Sequence, residues 1–311
     1  MKLDPASHFH RRSARSLVAH RGAMTRAAAR NSLVVGMVLA VVAPVGAASP
    51  LDATSSNAAR IETINAIPWP ELSLQQRRAV RKVTGKSSLY RRLPTQVIEC
   101  DPKLFTFLMQ HPDVIADTWQ VMGVSQLKVE RAGPQTYLAE DGLGTTGRFS
   151  FLETTWSETA FNRAVIFARG SFEGKPLTQA IDANCVLLLR SGSIEESDGR
   201  TYVTVRMDSF LDFDQAGVEL VARTVTPLVN KVVDHNFTET LRFVSNFSRA
   251  AERNPAGLEQ FAEKLTELEP STRDELVVIC RGAAERYGVR LSRETEVKPA
   301  VATKPTSTTF E

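Results

Sequence analysis

Residues 216–252 read AGVELVARTVTPLVNKVVDHNFTETLRFVSNFSRAAE. Val218, Val221, Val225, Leu228 and Val232 recur at steps of three and four, the period of an apolar stripe on an α-helix. After Asp234 the stripe resumes, slightly shifted in phase, with Phe237, Leu241, Val244 and Phe247. A helix over the whole stretch is about 55 Å long at about 1.5 Å per residue, so it needs a large surface to cover. Pro227 removes a backbone donor inside the run and predicts a kink. Val221, Val225, Leu228 and Val232 are predicted to face that surface, and Glu219, Arg223, Asn230 and Lys231 to face water.

The segments before this helix are strand-like, which identifies the surface. From Leu127 the apolar period becomes two: Leu127, Val129 and Arg131 alternate with Lys128 and Glu130. Gly133-Pro134 marks a turn, and the stretch 148–156 reads as a further strand. Ala164, Ile166, Ala168 and Phe172 share one face of the next. Segments 185–191 and 202–213 form a long hairpin whose Asp198-Gly199 pair is a strong turn signal. Thr95 to Cys100 is a short strand, Asp101-Pro102 opens a helix carrying Leu104, Phe105, Leu108 and Met109, and a second short helix over 113–122 ends at Gly123. The fold class is α+β: a curved antiparallel sheet gripping a long C-terminal helix, with extra helices at both ends.

The chain divides into a signal peptide (1–48), a linker (49–66), an N-terminal helical appendage (67–93), the α+β domain (94–252), a C-terminal helical hairpin (253–290) and a disordered tail (291–311). Arginines at 11, 12, 15, 21, 26 and 30 precede the apolar run 33–45, and Val45-Gly46-Ala47-Ala48 supplies small residues for cleavage near Ala48. Translation could start at Met1 or at Met24. An uncleaved anchor is the alternative, but thirteen apolar residues broken by Pro44 fall short of the ~20 needed to span a bilayer. Residues 1–48 hold seven Lys/Arg against one Asp, so the +3 of the whole chain becomes 3 − 6 = −3 after their removal. The basic balance belongs to the leader, and nucleic acid is not an expected partner. In the appendage, Leu74, Val80 and Val83 oppose Arg77, Arg78, Arg81 and Lys82, the pattern of a solvated helix face.

Catalytic and metal signals are sparse. Only His111 and His235 lie outside the leader, and neither adjoins a nucleophile elbow. Cys100, Cys185 and Cys280 are 85 and 95 residues apart, unlike zinc spacing, so no metal and no cofactor is expected. Cys100 and Cys185 are the better pair for a disulfide, with buried reduced thiols the alternative. The glycines at 142, 144 and 147 mark a hairpin loop rather than a phosphate cradle, because a strand follows them.

Asp101-Pro102-Lys103-Leu104-Phe105, then His111-Pro112-Asp113 and Trp119, together with the order of elements, resemble the START-like, helix-grip superfamily of polyketide cyclases and lipid carriers. The resemblance covers residues 94–252; the N-terminal helix and the two C-terminal helices are additions to it. The chain also resembles a family of exported bacterial proteins that carries no function with it. The resemblance implies a cavity between sheet and helix, since a bent sheet closed by one helix does not always fill the space with side chains. The candidate lining is Trp119, Ile166, Phe172, Arg206, Asp208, Val221, Val225, Leu228 and Val232. Arg206 and Asp208 belong there only if their strand face points inward; facing outward they are ordinary solvated positions.

Three functions follow. One is a non-catalytic exported module holding an apolar or lipid-like molecule in the periplasm or envelope. The second is a structural protein with a filled core, meeting an envelope protein through its C-terminal helices. The third, a cyclase- or hydrolase-type enzyme, lacks histidine and metal-ligand clusters.

Overall fold

A computed structural model describes residues 51–157, 161–174, 180–214 and 218–297, with only the backbone described at 218–229 and 292–297. The expected signal peptide lies outside the described residues.

Helices α1 (Asn57–Ala66) and α2 (Leu74–Lys86) flank a 3₁₀ turn (Trp69–Glu71) and precede the short strands β1 (Leu89–Arg92) and β2 (Gln96–Glu99). Then come α3 (Pro102–Gln110), α4 (Pro112–Val121), and strands β3 (Lys128–Gly133), β4 (Thr136–Glu140) and β5 (Thr145–Thr155). Strands β6 (Phe161–Phe172), β7 (Ile181–Glu195) and β8 (Thr201–Phe213) lead to α5 (Val218–Arg253), α6 (Pro255–Ala262) and α7 (Pro270–Val297). The chain is α+β with an eight-stranded antiparallel sheet ordered β1-β8-β7-β6-β5-β4-β3, in which β2 also pairs with β8.

Local chemistry accounts for the boundaries. Ser73 and Gln76 make a capping box at the start of α2. Asp101 accepts from the amides of Lys103 and Leu104 to open α3, with Pro102 at the first helical position. Pro112 ends α3 and begins α4. Gly142 and Gly144, at φ +69° and +108°, carry the β4–β5 turn, where a Cβ on Gly144 would lie 2.0 Å from the Glu173 carbonyl oxygen.

The sheet buries both faces. On one, Ile98, Tyr137, Phe151, Ile166, Leu189, Val203 and Val205 join α3, α4, α5, α6 and α7 in a single apolar cluster. On the other, Val165, Val186, Leu188 and Phe210 pack with Ala59 of α1, Ile67, Leu72, and Val80 and Val83 of α2.

This architecture corrects three readings of the sequence. The expected linker contains α1, capped by Ser56 and anchored through buried Ala59 and Thr63; its small, polar composition hides a narrow contact stripe. The N-terminal "appendage" covers the second face of the sheet and supplies β1 to it. The C-terminal hairpin is part of the main core through Leu265, Leu268, Leu276, Cys280 and Ala283, and α7 runs to Val297, past the expected start of the tail.

The long helix forms as expected and is a single element of 36 residues through Pro227. Phe237, Leu241, Val244 and Phe247 are buried, and at the shift in phase Val233, rather than Val232, packs on the core. Val232 is half-buried, as is Asn230, which was expected in water. The side chains of Val221, Val225 and Leu228 lie outside those described.

Candidate functional site

Strand register divides the expected lining residues between two faces. Ile166 pairs with Phe151 and Leu187 on the α5 face. Phe172 ends β6 on that face, and Trp119 meets Phe243 of α5 edge to face, with ring centroids 5.5 Å apart. Arg206 and Asp208 lie on the opposite face, in register with Arg190 and Leu188, beneath α1. They therefore cannot line a space between the sheet and α5. Asp208 is not solvated either, being 0% exposed, whereas the Arg206 side chain is 28% exposed.

Asp208 is the centre of an ion network. Its Oδ1 accepts from Tyr90 Oη at 2.7 Å and Arg92 Nε at 2.8 Å and lies 2.8 Å from Thr63 Oγ1, while Oδ2 accepts from Arg190 at 2.9 Å. Arg206 approaches Oδ2 at 3.6 Å and bonds Glu62 of α1 at 2.7 Å; Arg92 also reaches Glu62. Burial alone would raise the Asp208 carboxyl, but hydrogen bonds from Tyr90, Thr63 and Arg92 outweigh it and hold the group below its ordinary range. A carboxylate that is 0% exposed and takes four hydrogen bonds is out of reach of a substrate. Its chemistry is structural: it fastens α1 to the sheet.

The α5 face has a different character. Ala139, Gly147, Gly170 and Ala183 are directly paired neighbours, so four adjacent strands present a row without large side chains. The next row is Tyr137, Phe149, Ala168 and Cys185. Ala183 pairs with Phe213, the last residue of β8, and α5 begins five residues later at this same end of the sheet. Phe149, Leu187, Met207, Val129 and Trp119 are only partly buried on this side. Toward the other end, the second half of α5 meets a packed core.

A separate cleft of about 150 Å³ opens where the end of α3, the β3–β4 turn and the end of β5 converge; it is lined by Gln110, His111, Arg131, Gln135, Phe151 and Trp156 among others. Arg131 donates to His111 Nδ1 at 3.0 Å, lies over the Tyr137 ring at 5.1 Å and approaches Asp113 at 3.9 Å. Burial, then the Arg131 charge, lowers the His111 pKa, favouring neutral imidazole. Burial raises Asp113 and Asp117, and pushes Tyr137 up to about 12. Sequence reasoning passed over this site because Arg131 looked like one more residue in an alternating strand.

All three cysteines are free thiols, Cys100 and Cys280 buried. Burial pushes Cys185 and Cys280 up to about 12. The native protein should therefore react slowly with a thiol reagent at pH 8 at every cysteine and promptly once denatured. Rapid titration of a full equivalent in the native state would contradict the burial. Among the described residues, no group of three or more His, Cys, Asp or Glu side chains is placed to hold a metal, and no helix is long and apolar enough to cross a membrane.

No family model matches the chain, and no curated protein matches it. Among solved structures it is similar to that of a conserved protein from Geobacillus kaustophilus, at 11% identity over 49% of this chain and 93% of that one, with a TM-score of 0.29.

Proposed function

We propose that this protein is an exported, non-catalytic binding module of the START-like, helix-grip type, holding an apolar or lipid-like molecule between α5 and the sheet. The observation that carries the reading is the row of small residues Ala139, Gly147, Gly170 and Ala183 at the end of the sheet where α5 starts. Side chains there are too short to fill the space beneath a covering helix, while Phe149 in the next row keeps part of its apolar surface uncovered. The second reading, an envelope interaction protein with a filled core, draws on the other half of α5, where Phe237, Leu241, Val244 and Phe247 leave no such room.

Native mass spectrometry should detect a co-purifying apolar molecule, and a naphthalene dye should bind saturably. Ala183→Trp fills the row and should reduce dye affinity at least tenfold while the protein still folds. Absence of dye binding by the wild type, with no co-purifying ligand, would favour the filled-core reading.

A further inference from the structure

We propose that the outward face of α2 is a docking surface for an anionic membrane, with Arg78, Arg81, Lys82 and Lys86 meeting the lipid headgroups. From Leu72 to Ile98 the chain holds seven Arg/Lys and no Asp or Glu. The fold decides which of them reach water. Arg77 is spent on the Leu72 and Pro70 carbonyls, and Arg91 and Arg92 pair with Asp234 and Asp208. Val80 and Val83 bury the inner side of α2 against Val186, Leu188 and Phe210. Arg78 and Lys82, one turn apart, therefore stand on its crest with Arg81 and Lys86 beside them, all four exposed.

Little nearby charge offsets them. Among the described residues none of the four has an ion-pair partner, and the carboxylates of the same layer are taken, Glu62 by Arg92 and Arg206 and Glu71 by Arg163. Asp212 of β8 faces Lys82 and Lys86 but is 8% exposed and pairs with neither. A positive field thus stands over this face of a mature chain that is net negative. The shape selects a surface over a peptide. Arg60 of α1 bonds the Thr84 carbonyl of α2, so the layer is two adjacent helices and presents ridges rather than a groove. It also exposes Leu74 of α2 and Ile61 of α1, at 71% and 49%, apolar side chains that a bilayer takes up and a polyanion in water does not. The surface lies across the sheet from α5, so it does not depend on the apolar-ligand reading.

Vesicles of equal parts phosphatidylglycerol and phosphatidylcholine are the probe, tested on the mature chain from Ser49 so that the leader contributes nothing. Co-sedimentation should be at least tenfold tighter than with phosphatidylcholine alone, and raising NaCl from about 50 to about 500 mM should remove most of the difference. Each Lys or Arg beside an anionic leaflet contributes about fivefold, so Arg78→Gln with Lys82→Gln should lower affinity at least tenfold. Arg253→Gln with Lys264→Gln removes the same charge from exposed positions on the α5 side and should change it less than twofold. Should the first double variant fail to fold, acetylation of wild-type protein decides: mixed vesicles should protect Lys82 and Lys86 and leave Lys264 reactive. Equal binding to both vesicles, salt-insensitive binding, equal losses in the two double variants, or protection of Lys264 alone would overturn the proposal. Tighter binding to polyglutamate than to mixed vesicles would also overturn it, by making an acidic protein the partner.

Discussion

Asp208→Asn should destabilise the protein by about 3–5 kcal/mol, the usual result of removing one member of a buried ion pair. The substitution leaves Arg190 beneath α1 without its Asp208 counter-ion and Arg92 with Glu62 alone, and weakens the bonds from Tyr90 and Thr63. Urea denaturation of wild type and variant measures the difference; a loss below about 1 kcal/mol would mean that α1 is held by apolar contact alone. The same carboxylate shapes the acid limb of stability. Its folded pKa is lowered from 3.8, so its contribution is fully present above that unfolded value and is lost as pH falls through the lower folded one. Asp113, Asp117 and Glu252 have the opposite sign: burial raises their folded values, and ionisation costs stability. Lowering the pH should therefore gain stability at these three carboxyls as it approaches their raised folded values, and lose it at His111, whose folded value is lowered from 6.5, and at Asp208 below 3.8.

Leu265→Ala should cost about 2–5 kcal/mol, the range for large-to-small changes in a closely packed core. Leu265 lies in the connection between α6 and α7 and is 0% exposed, in one cluster with Leu104, Phe247 and Leu276. If those helices were an appendage, the same change would stay within about 0.5 kcal/mol, as a surface substitution does. Val278→Ala on the outer side of α7, 66% exposed, supplies that reference value in the same denaturation series.

The strands and the long helix were legible because their periods are written in apolar residues: the β7–β8 hairpin turns at Gly199, at φ +75°, as Asp198-Gly199 implies. What escaped was burial of polar groups. Arg206 and Asp208 alternate like solvated residues, and only the Arg92–Asp208 pairing across β1 and β8 shows that Asp208 is enclosed. Leu89 to Arg92 has too few apolar residues to signal a strand, and its pairing is decided by β8. Val232 and Val233 are equally apolar, so the phase of α5 at its midpoint was set by the core and not by local sequence. The Arg131 cleft depends on three elements meeting, which no single period records.

The contacts that close the structure join residues far apart in the chain. Thr63 meets Asp208 across 145 residues, and Arg286 takes both carboxylate oxygens of Asp101 across 185, at 2.6 and 2.9 Å. Closing loops of that length precedes any gain from the contact, which slows folding. A chain emerging from its N-terminus forward completes α1 only when β8 arrives, and secures the start of α3 only when the last helix does. Until then the apolar faces of both are open to whatever binds unfinished chains.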